Sequence, residues 1–343
     1  MTAMTPRERV LMTLKGERAD RPPVSFWGHV YHRESSAQDL VEATLERQDR
    51  FQWDWVKLNP RKHYHSEDWG TRYRYSGRPD EKPVLEAWPV REPADWRAIS
   101  VRSATAGALA EQIEAVRLLR RRLPPDVPMI ETVFTPLAVL GEMVQEPAVL
   151  QAHLRGDPEA VQPALEAVTR TFEQFVAEVL AAGADGIYLA TTAWGSHDWI
   201  SAEEHRRWSR PYDLRILAAA AAAPFNVLHV CKPNNLLFEM ADYPVRAFSY
   251  DASHPSNPSL AQALARLGGA VMGGVAHEGV LQMTDHEQLL GELRRGLDQT
   301  RGHRWMVAPG CSIPPTTPAD SLQRVRDEVA SWAEAHDPAA RGA

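Results

Sequence analysis

The chain has 343 residues, 44% of them hydrophobic, which is enough to bury a large core in one barrel-sized domain or two smaller ones. Its net charge of −7, with no basic cluster denser than Arg120, Arg121 and Arg122 at a helix end, argues against nucleic acid as a partner. The first residues lack the apolar stretch of a signal peptide, and the run 216–225 is mostly alanine and too short to cross a bilayer, so the expectation is a cytoplasmic protein with reduced thiols and no membrane contact.

Thr5-Pro6-Arg7-Glu8 starts a helix, with a threonine cap, proline at the first position and glutamate closing a capping box. Val10, Leu11 and Leu14 form its apolar stripe. A loop over 16–23 leads to a first strand at 24–27, which opens into Gly28-His29-Val30-Tyr31-His32. A polar helix over 37–51 precedes the second strand at 55–58. From 59 to 95 runs a polar loop rich in Tyr, Trp, His and Pro, the one stretch that reads as an insertion. A loop that long inside a compact domain is functional or carries minor structure of its own. Its His63 and His65 read as solvated, and Tyr64, Trp69, Tyr73 and Tyr75 as a lid or a partner surface.

Beyond residue 104 the alternation is regular. A helix over 106–123 precedes a strand at 129–134. Asp157 caps a long helix with Val161, Leu165, Val168, Phe172, Phe175 and Val179 on one face, ended by Gly183 and Gly186. A strand at 187–191, a helix over 202–222 and a strand at 225–230 follow. A short helix around Leu236, a strand at 247–250, a helix over 260–267 and a strand at 270–272 come next. A helix over 285–297, a strand at 305–308 and a last helix from Thr317 complete the chain. About eight strand–helix units call for a parallel sheet closed into a single (β/α)8 TIM barrel, here one domain over 1–343 with an N-terminal helix and a long insertion after strand 2.

In such a barrel the chemistry lies at the C-terminal ends of the strands. The only two cysteines, Cys231 and Cys311, both follow short apolar runs at that end of predicted strands, and His229 lies two residues before Cys231, on the same side of an extended chain. Two thiolates and an imidazole suit tetrahedral zinc and leave a fourth position open. Ordinary core cysteines and a disulfide are the competing accounts. Pro309-Gly310 before Cys311 and Pro314-Pro315 after it describe a rigid loop instead of a core strand, which favours the metal. The strand ends also offer Trp27, His29, Asn59 and Tyr188 as substrate-binding residues, with His254 and His277 nearby. Glu131 and Asp251 are the catalytic candidates, each placed to orient His229 through its second ring nitrogen. For Glu131 an interior pairing with Lys57 is the alternative, and for Asp251 a helix cap.

Several stretches resemble the uroporphyrinogen decarboxylase-like superfamily. They are Thr5-Pro-Arg-Glu-Arg-Val-Leu with Ala19-Asp-Arg-Pro-Pro-Val, Gly183-Ala-Asp-Gly with Pro211-Tyr212, the Asp251 segment, and Met272-Gly-Gly-Val. The resemblance runs from residue 5 to about 335 and implies the (β/α)8 fold. Within it, His229, Cys231 and Cys311, with Ala308-Pro-Gly-Cys-Ser-Ile-Pro-Pro-Thr-Thr-Pro, resemble the zinc signature of corrinoid-dependent methyltransferases. That implies methyl transfer between methylcobalamin on a separate corrinoid protein and a small-molecule thiol or similar acceptor, with a homodimer allowed. The arginine-rich N-terminal loop of the decarboxylases is replaced by Trp27-Gly-His-Val-Tyr-His-Arg33, and Asn59-Pro60 stands where their central aspartate is expected. These departures argue against porphyrinogen decarboxylation, and a decarboxylase or lyase acting on a small carboxylated substrate is the second expectation. Lys232-Pro233 follows Cys231 where the methyltransferases usually have glycine.

Overall fold

The computed structural model describes residues 4–336, so the expected limits of the domain at 1–3 and 337–343 lie outside the described residues. The strands are β1 (Val56–Leu58), β2 (Arg72–Arg74), β3 (Val84–Ala87), β4 (Met129–Phe134), β5 (Gly186–Ala190), β6 (Val227–His229), β7 (Ala247–Ser249), β8 (Ala270–Val275) and β9 (Trp305–Pro309). Seven of them form one curled sheet in the order β1-β4-β5-β6-β7-β8-β9, every neighbouring pair parallel. The helices are α1 (Pro6–Lys15), α2 (Ala37–Phe51), α3 (Tyr64–Glu67), α4 (Gly107–Arg122), α5 (Pro136–Gly141), α6 (Pro147–Gly156), α7 (Pro158–Ala181), α8 (Ala202–Trp208), α9 (Arg210–Ala219), α10 (Leu260–Arg266), α11 (Glu287–Thr300) and α12 (Ala319–His336). The architecture is the TIM-barrel type of α/β fold, as expected.

The gap between β9 and β1 is filled by residues 24–28. Val24 bridges Val307 in parallel, Ser25 N–H donates to Val307 O at 3.1 Å, and Asp54 N–H donates to Val24 O at 3.0 Å. The segment expected as the first strand is therefore in place but is not a regular strand. Pro22 and Pro23 have no N–H to give, and the Val24 N–H goes to the Asp54 carboxylate at 2.7 Å instead of to a neighbouring chain.

Strand alternation divides the core in two. Trp27, Trp55, Ile130, Tyr188, Val227, Met272 and Met306 pack inside the barrel with Val10 and Leu14 of α1. Leu58, Val133, Ile187, Leu189, Leu228 and Val271 face outward into the larger core beneath the helices. The N-terminal helix starts as read, with Thr5 and Glu8 completing the capping box.

Other expectations need correction. The helix expected over 202–222 is two helices. Pro211 has no N–H for the helical ladder, and the chain breaks at Ser209 (φ −113°, ψ −59°) before resuming as α9. Around Leu236 there are turns and no helix, because Leu236 N–H pairs with Gly195 O and Asn235 bridges Ser196. The 59–95 insertion is structured by α3, the antiparallel pair β2–β3 and a 3-10 helix at Pro93–Ala98. His63 and His65 are buried there and not solvated, and Tyr64 and Trp69 belong to the core, not to a lid. α5 and α6 were not read from the sequence, although Thr135-Pro136 carries a helix-start signal that the structure uses.

Candidate metal centre

β6 ends at His229, and Cys231 follows two residues later on the same side. β9 ends at Pro309, and Cys311 follows in the loop beyond it. The ligand atoms of these three residues lie within 4.8 Å of one another, with the two sulfurs 4.0 Å apart and no disulfide between them. His229 Nε2 is buried and has no hydrogen-bond partner. A buried ring nitrogen left bare beside two thiols is a polar group waiting for an acceptor of its lone pair. The donor set and the orphaned nitrogen thus fit a soft divalent ion such as zinc. The thiols are unequal: the hydrogen bond between them holds Cys311 well below the usual thiol range and Cys231 well above it.

Neighbouring side chains fix the ligands. His229 Nδ1 lies 3.1 Å from Ser249 Oγ, and Ser249 Oγ lies 3.0 Å from Tyr188 Oη. The Tyr188 ring stacks on the imidazole at 5.1 Å. Thr191 ties the ligand turn together: its hydroxyl donates to His229 O at 3.1 Å and accepts from Cys231 N–H at 3.2 Å. Lys232, next in line, has φ 77°, the left-handed region that glycine favours.

The triad opens into a cavity of about 680 Å³ at the C-terminal ends of the strands. Trp27, His29, Asn59 and Tyr188, all expected to bind substrate, line it. Trp27 meets Tyr188 edge-on at 5.5 Å. His29 Nδ1 sits 3.0 Å from Glu34 Oε1, and Asn59 Oδ1 accepts from Lys57 Nζ at 2.6 Å. His277 lines the cavity, whereas His254 lies in an exposed turn, its Nδ1 2.8 Å from Ser256 Oγ.

Glu131 and Asp251 do not orient His229; the Ser249 hydroxyl occupies that nitrogen. Glu131 alternates with the inward Ile130 and Thr132 and so faces outward beneath the helices, fully buried, with neither oxygen hydrogen-bonded. Burial pushes its carboxyl well above the usual range, with Lys57 opposing the shift. Asp251 follows β7, caps its own turn by accepting from Ser253 N–H at 3.1 Å, and lies 3.6 Å from His277 Nδ1.

Three residues of the centre escaped the sequence reading. Ser249 and Thr191 carry no signal there, being ordinary hydroxyls at strand ends. Lys57 entered only as a partner for Glu131, but it projects into the cavity. A lone lysine in the apolar strand Trp-Val-Lys-Leu was the available signal. Burial pushes its amine down to about 7, with Cys311 the foremost charge opposing the shift.

The insertion contributes to the cavity wall through Lys62, Lys82 and Asp80. Behind Lys62, Tyr73 Oη donates to Glu142 Oε2 at 2.7 Å, and the Tyr73 ring stacks on His63. Glu142 is held well below the usual carboxylate range, its foremost stabilising partner being His63, whose own ring is pushed down to about 4 by burial. No helix among the described residues is long and apolar enough to cross a membrane.

Comparison with known proteins agrees with this architecture. The chain is 23% identical over 259 residues to the methylcobamide:CoM methyltransferase MtaA of Methanosarcina barkeri, covering 74% of this chain and 73% of that protein. It is 25% identical over 253 residues to a uroporphyrinogen decarboxylase of Geobacter sp. (strain M21), covering 69% of each. A solved methyltransferase from Methanosarcina mazei superposes with a TM-score of 0.83 at 21% identity, over 96% of this chain and 99% of the other. The family model described as uroporphyrinogen decarboxylase (URO-D) matches residues 5–332, nearly the whole described chain, and the protein therefore belongs to that family.

Proposed function

We propose that the protein is a zinc-dependent methyltransferase that moves a methyl group between a corrinoid protein and a small thiol or similar acceptor. One observation carries this reading: two thiols and a bare imidazole nitrogen converge at the mouth of a barrel whose relatives include a methylcobamide:CoM methyltransferase. When bound by His229, Cys231 and Cys311, zinc keeps an acceptor thiol deprotonated yet electron-rich, because two of its ligands are anionic.

The chain's own residues supply the remaining conditions. Ser249 and Tyr188 hold the imidazole with Nε2 directed at the sulfurs, and Thr191 holds Cys231 in register with it. Trp27 and Tyr188 give the cavity floor an apolar wall that limits water around a bound thiolate, which sharpens its nucleophilicity. The corrinoid rides on a separate protein, which presents its methyl group at the open mouth. Decarboxylation gives the paired thiols no task, which ranks it second although a decarboxylase is among the relatives.

The experiment is elemental analysis of protein purified without added metal, joined to a methylcobalamin assay with a panel of thiols. One zinc per chain and thiol methylation are expected. Cys311→Ala should lose both while keeping a near-native circular dichroism spectrum, since Cys311 lies on a loop outside the barrel core. A metal-free sample with full activity overturns the reading.

A further inference from the structure

His29 is held at the barrel mouth by a buried carboxylate. Its Nδ1 lies 3.0 Å from Glu34 Oε1 and 3.1 Å from Glu34 Oε2. Glu34 is 1% exposed, and its Oε1 also accepts the Val30 N–H at 2.6 Å, which fixes the carboxylate in place. The Tyr31 ring stacks on the imidazole at 5.0 Å. Asn59 Nδ2 is 3.3 Å from the same Nδ1, but one ring nitrogen cannot serve both groups. The carboxylate is nearer with both oxygens and is charged, so Nδ1 carries the hydrogen and donates it to Glu34. The neutral ring is then bare at Nε2. No hydrogen bond among the described residues reaches that nitrogen, and His29 lines the cavity with 16% of its side chain exposed.

An imidazole oriented by a buried carboxylate, with its free nitrogen in a ligand cavity, is equipped to accept a proton. The positive charge that forms is matched by Glu34 without further movement. The other charged and titratable groups around the pair are accounted for. Arg47 and Lys57 act on Glu34 from a distance, and Arg61 Nη1 donates to the Glu34 backbone carbonyl at 3.4 Å. Burial pushes the neighbouring His63 down to about 4 and the Tyr31 hydroxyl up to about 12, so both are neutral at pH 7. Elsewhere in the cavity wall, Lys57 Nζ donates to Asn59 Oδ1, and His277 Nδ1 is 3.6 Å from Asp251, too far to be oriented by it. Asn59 also stands between His29 and the centre. Its amide nitrogen faces the ring, and its amide oxygen is 3.3 Å from Ser312 Oγ, next to Cys311. The breadth of one side-chain amide thus separates the imidazole from the loop that carries the third ligand.

We propose that His29 Nε2 accepts the proton of the acceptor thiol, directly or through one water, as the thiol binds at the His229, Cys231 and Cys311 centre. Glu34 is the positioning residue for this base. In that step the S–H bond breaks, its electron pair stays on sulfur, and an N–H bond forms at Nε2. The imidazolium then releases the proton to water at the open mouth. The proposal rests on the methyltransferase reading for the thiol, but the assignment of the base is a separate claim about His29.

The test mixes cobalt-substituted protein with 2-mercaptoethanol between about pH 5 and 8. It follows the rate at which the sulfur-to-cobalt charge-transfer band appears, which needs no turnover. The wild-type rate should rise with pH as the ring loses its proton, and should not depend on buffer concentration. His29→Gln, which keeps a polar amide in the wall, should bind about 100-fold more slowly, as loss of a general base does. Raising the concentration of MOPS, a buffer base that does not coordinate cobalt, should recover part of that rate. A ring that only shapes the wall would leave the rate independent of buffer. Glu34→Gln should move the rising limb to lower pH, because the imidazolium loses its counter-charge. Circular dichroism checks the fold of both variants. Should His29→Gln not fold, the Glu34→Gln limb decides, and an unmoved limb overturns the proposal. No band in the wild-type protein overturns the acceptor reading and this proposal with it. A band whose rate is unchanged in His29→Gln, or slowed without response to buffer, overturns this proposal alone.

Discussion

At the scale of single residues, the centre depends on hydroxyls that carry no charge. Ser249 is fully buried and is the partner of His229 Nδ1. Removing it leaves a buried N–H unpaired and frees the ring to turn away from the sulfurs. Ser249→Ala should therefore lower metal affinity by about 10–100-fold with little change in the fold, as loss of a ligand's outer hydrogen bond does. Competition with a chromogenic chelator, alongside circular dichroism, checks this; unchanged affinity would mean that stacking on Tyr188 alone orients the imidazole. The candidate ligand set was legible in the sequence because the chain has only two cysteines and two thiols with an imidazole have a distinctive chemistry. Ser249 and Thr191 were not, because serine and threonine occur at strand ends for many reasons and only contact reveals which are engaged. Glu131 misled for a related reason. A carboxylate in a strand near the mouth reads as functional, but the parity of the strand sends it outward, and parity depends on register, which a sequence leaves open.

At the scale of elements, the positions of β4 to β9 were legible to within a few residues, since short apolar runs separated by amphipathic helices have few other interpretations. What was lost is where proline and side-chain hydrogen bonds compete with the regular ladder. Pro211 divides one expected helix, and Asp54 takes the N–H that would have made 24–27 a strand. The closure of the barrel rests on close backbone contact at Gly28, which bridges Ile313 in parallel. A Cβ there would lie 2.4 Å from Ile313 O and 2.8 Å from Ile313 Cγ1. Gly28→Ala should cost on the order of 1–3 kcal/mol by overpacking, read by urea denaturation. Gly268→Ala, where an added Cβ meets nothing within 4 Å, is the control and should be near neutral. Equal midpoints for the two variants would show that the bridge contributes nothing to stability.

At the scale of the whole molecule, Glu131 links stability to pH. Its ordinary value is 4.5, and burial raises it well above that in the folded chain. Below the ordinary value the carboxyl is protonated in both states, and the folded chain has its full stability with respect to this group. As pH rises towards and through the folded value, the unfolded chain releases the proton while the folded one retains it, so stability falls. Asp213, raised to about 7 by burial, adds a contribution of the same sign. Buried His63 and Lys57, both pushed down, contribute with the opposite sign, so the net slope is a sum. Glu131→Met, of similar length and apolar, should make the change in stability between pH 5 and about 8 less negative than in the wild-type protein. Urea midpoints across that range measure the difference. A slope identical to that of the wild-type protein would mean that Glu131 finds a partner or water in solution.

The barrel's seam has a consequence for how the molecule is made. The segment that closes it, 24–28, comes early in the chain, and the partners that receive it, Val307 and Ile313, come nearly at the end. A ribosome releases the first long before the second, so through most of synthesis the nascent chain carries an unclosed sheet with two open edges. Cys311 lies between the two residues that make the seam. The three residues of the candidate centre therefore come together in the same event that closes the barrel. A chain cut before residue 305 lacks both the contacts that close the barrel and the third residue of the candidate site.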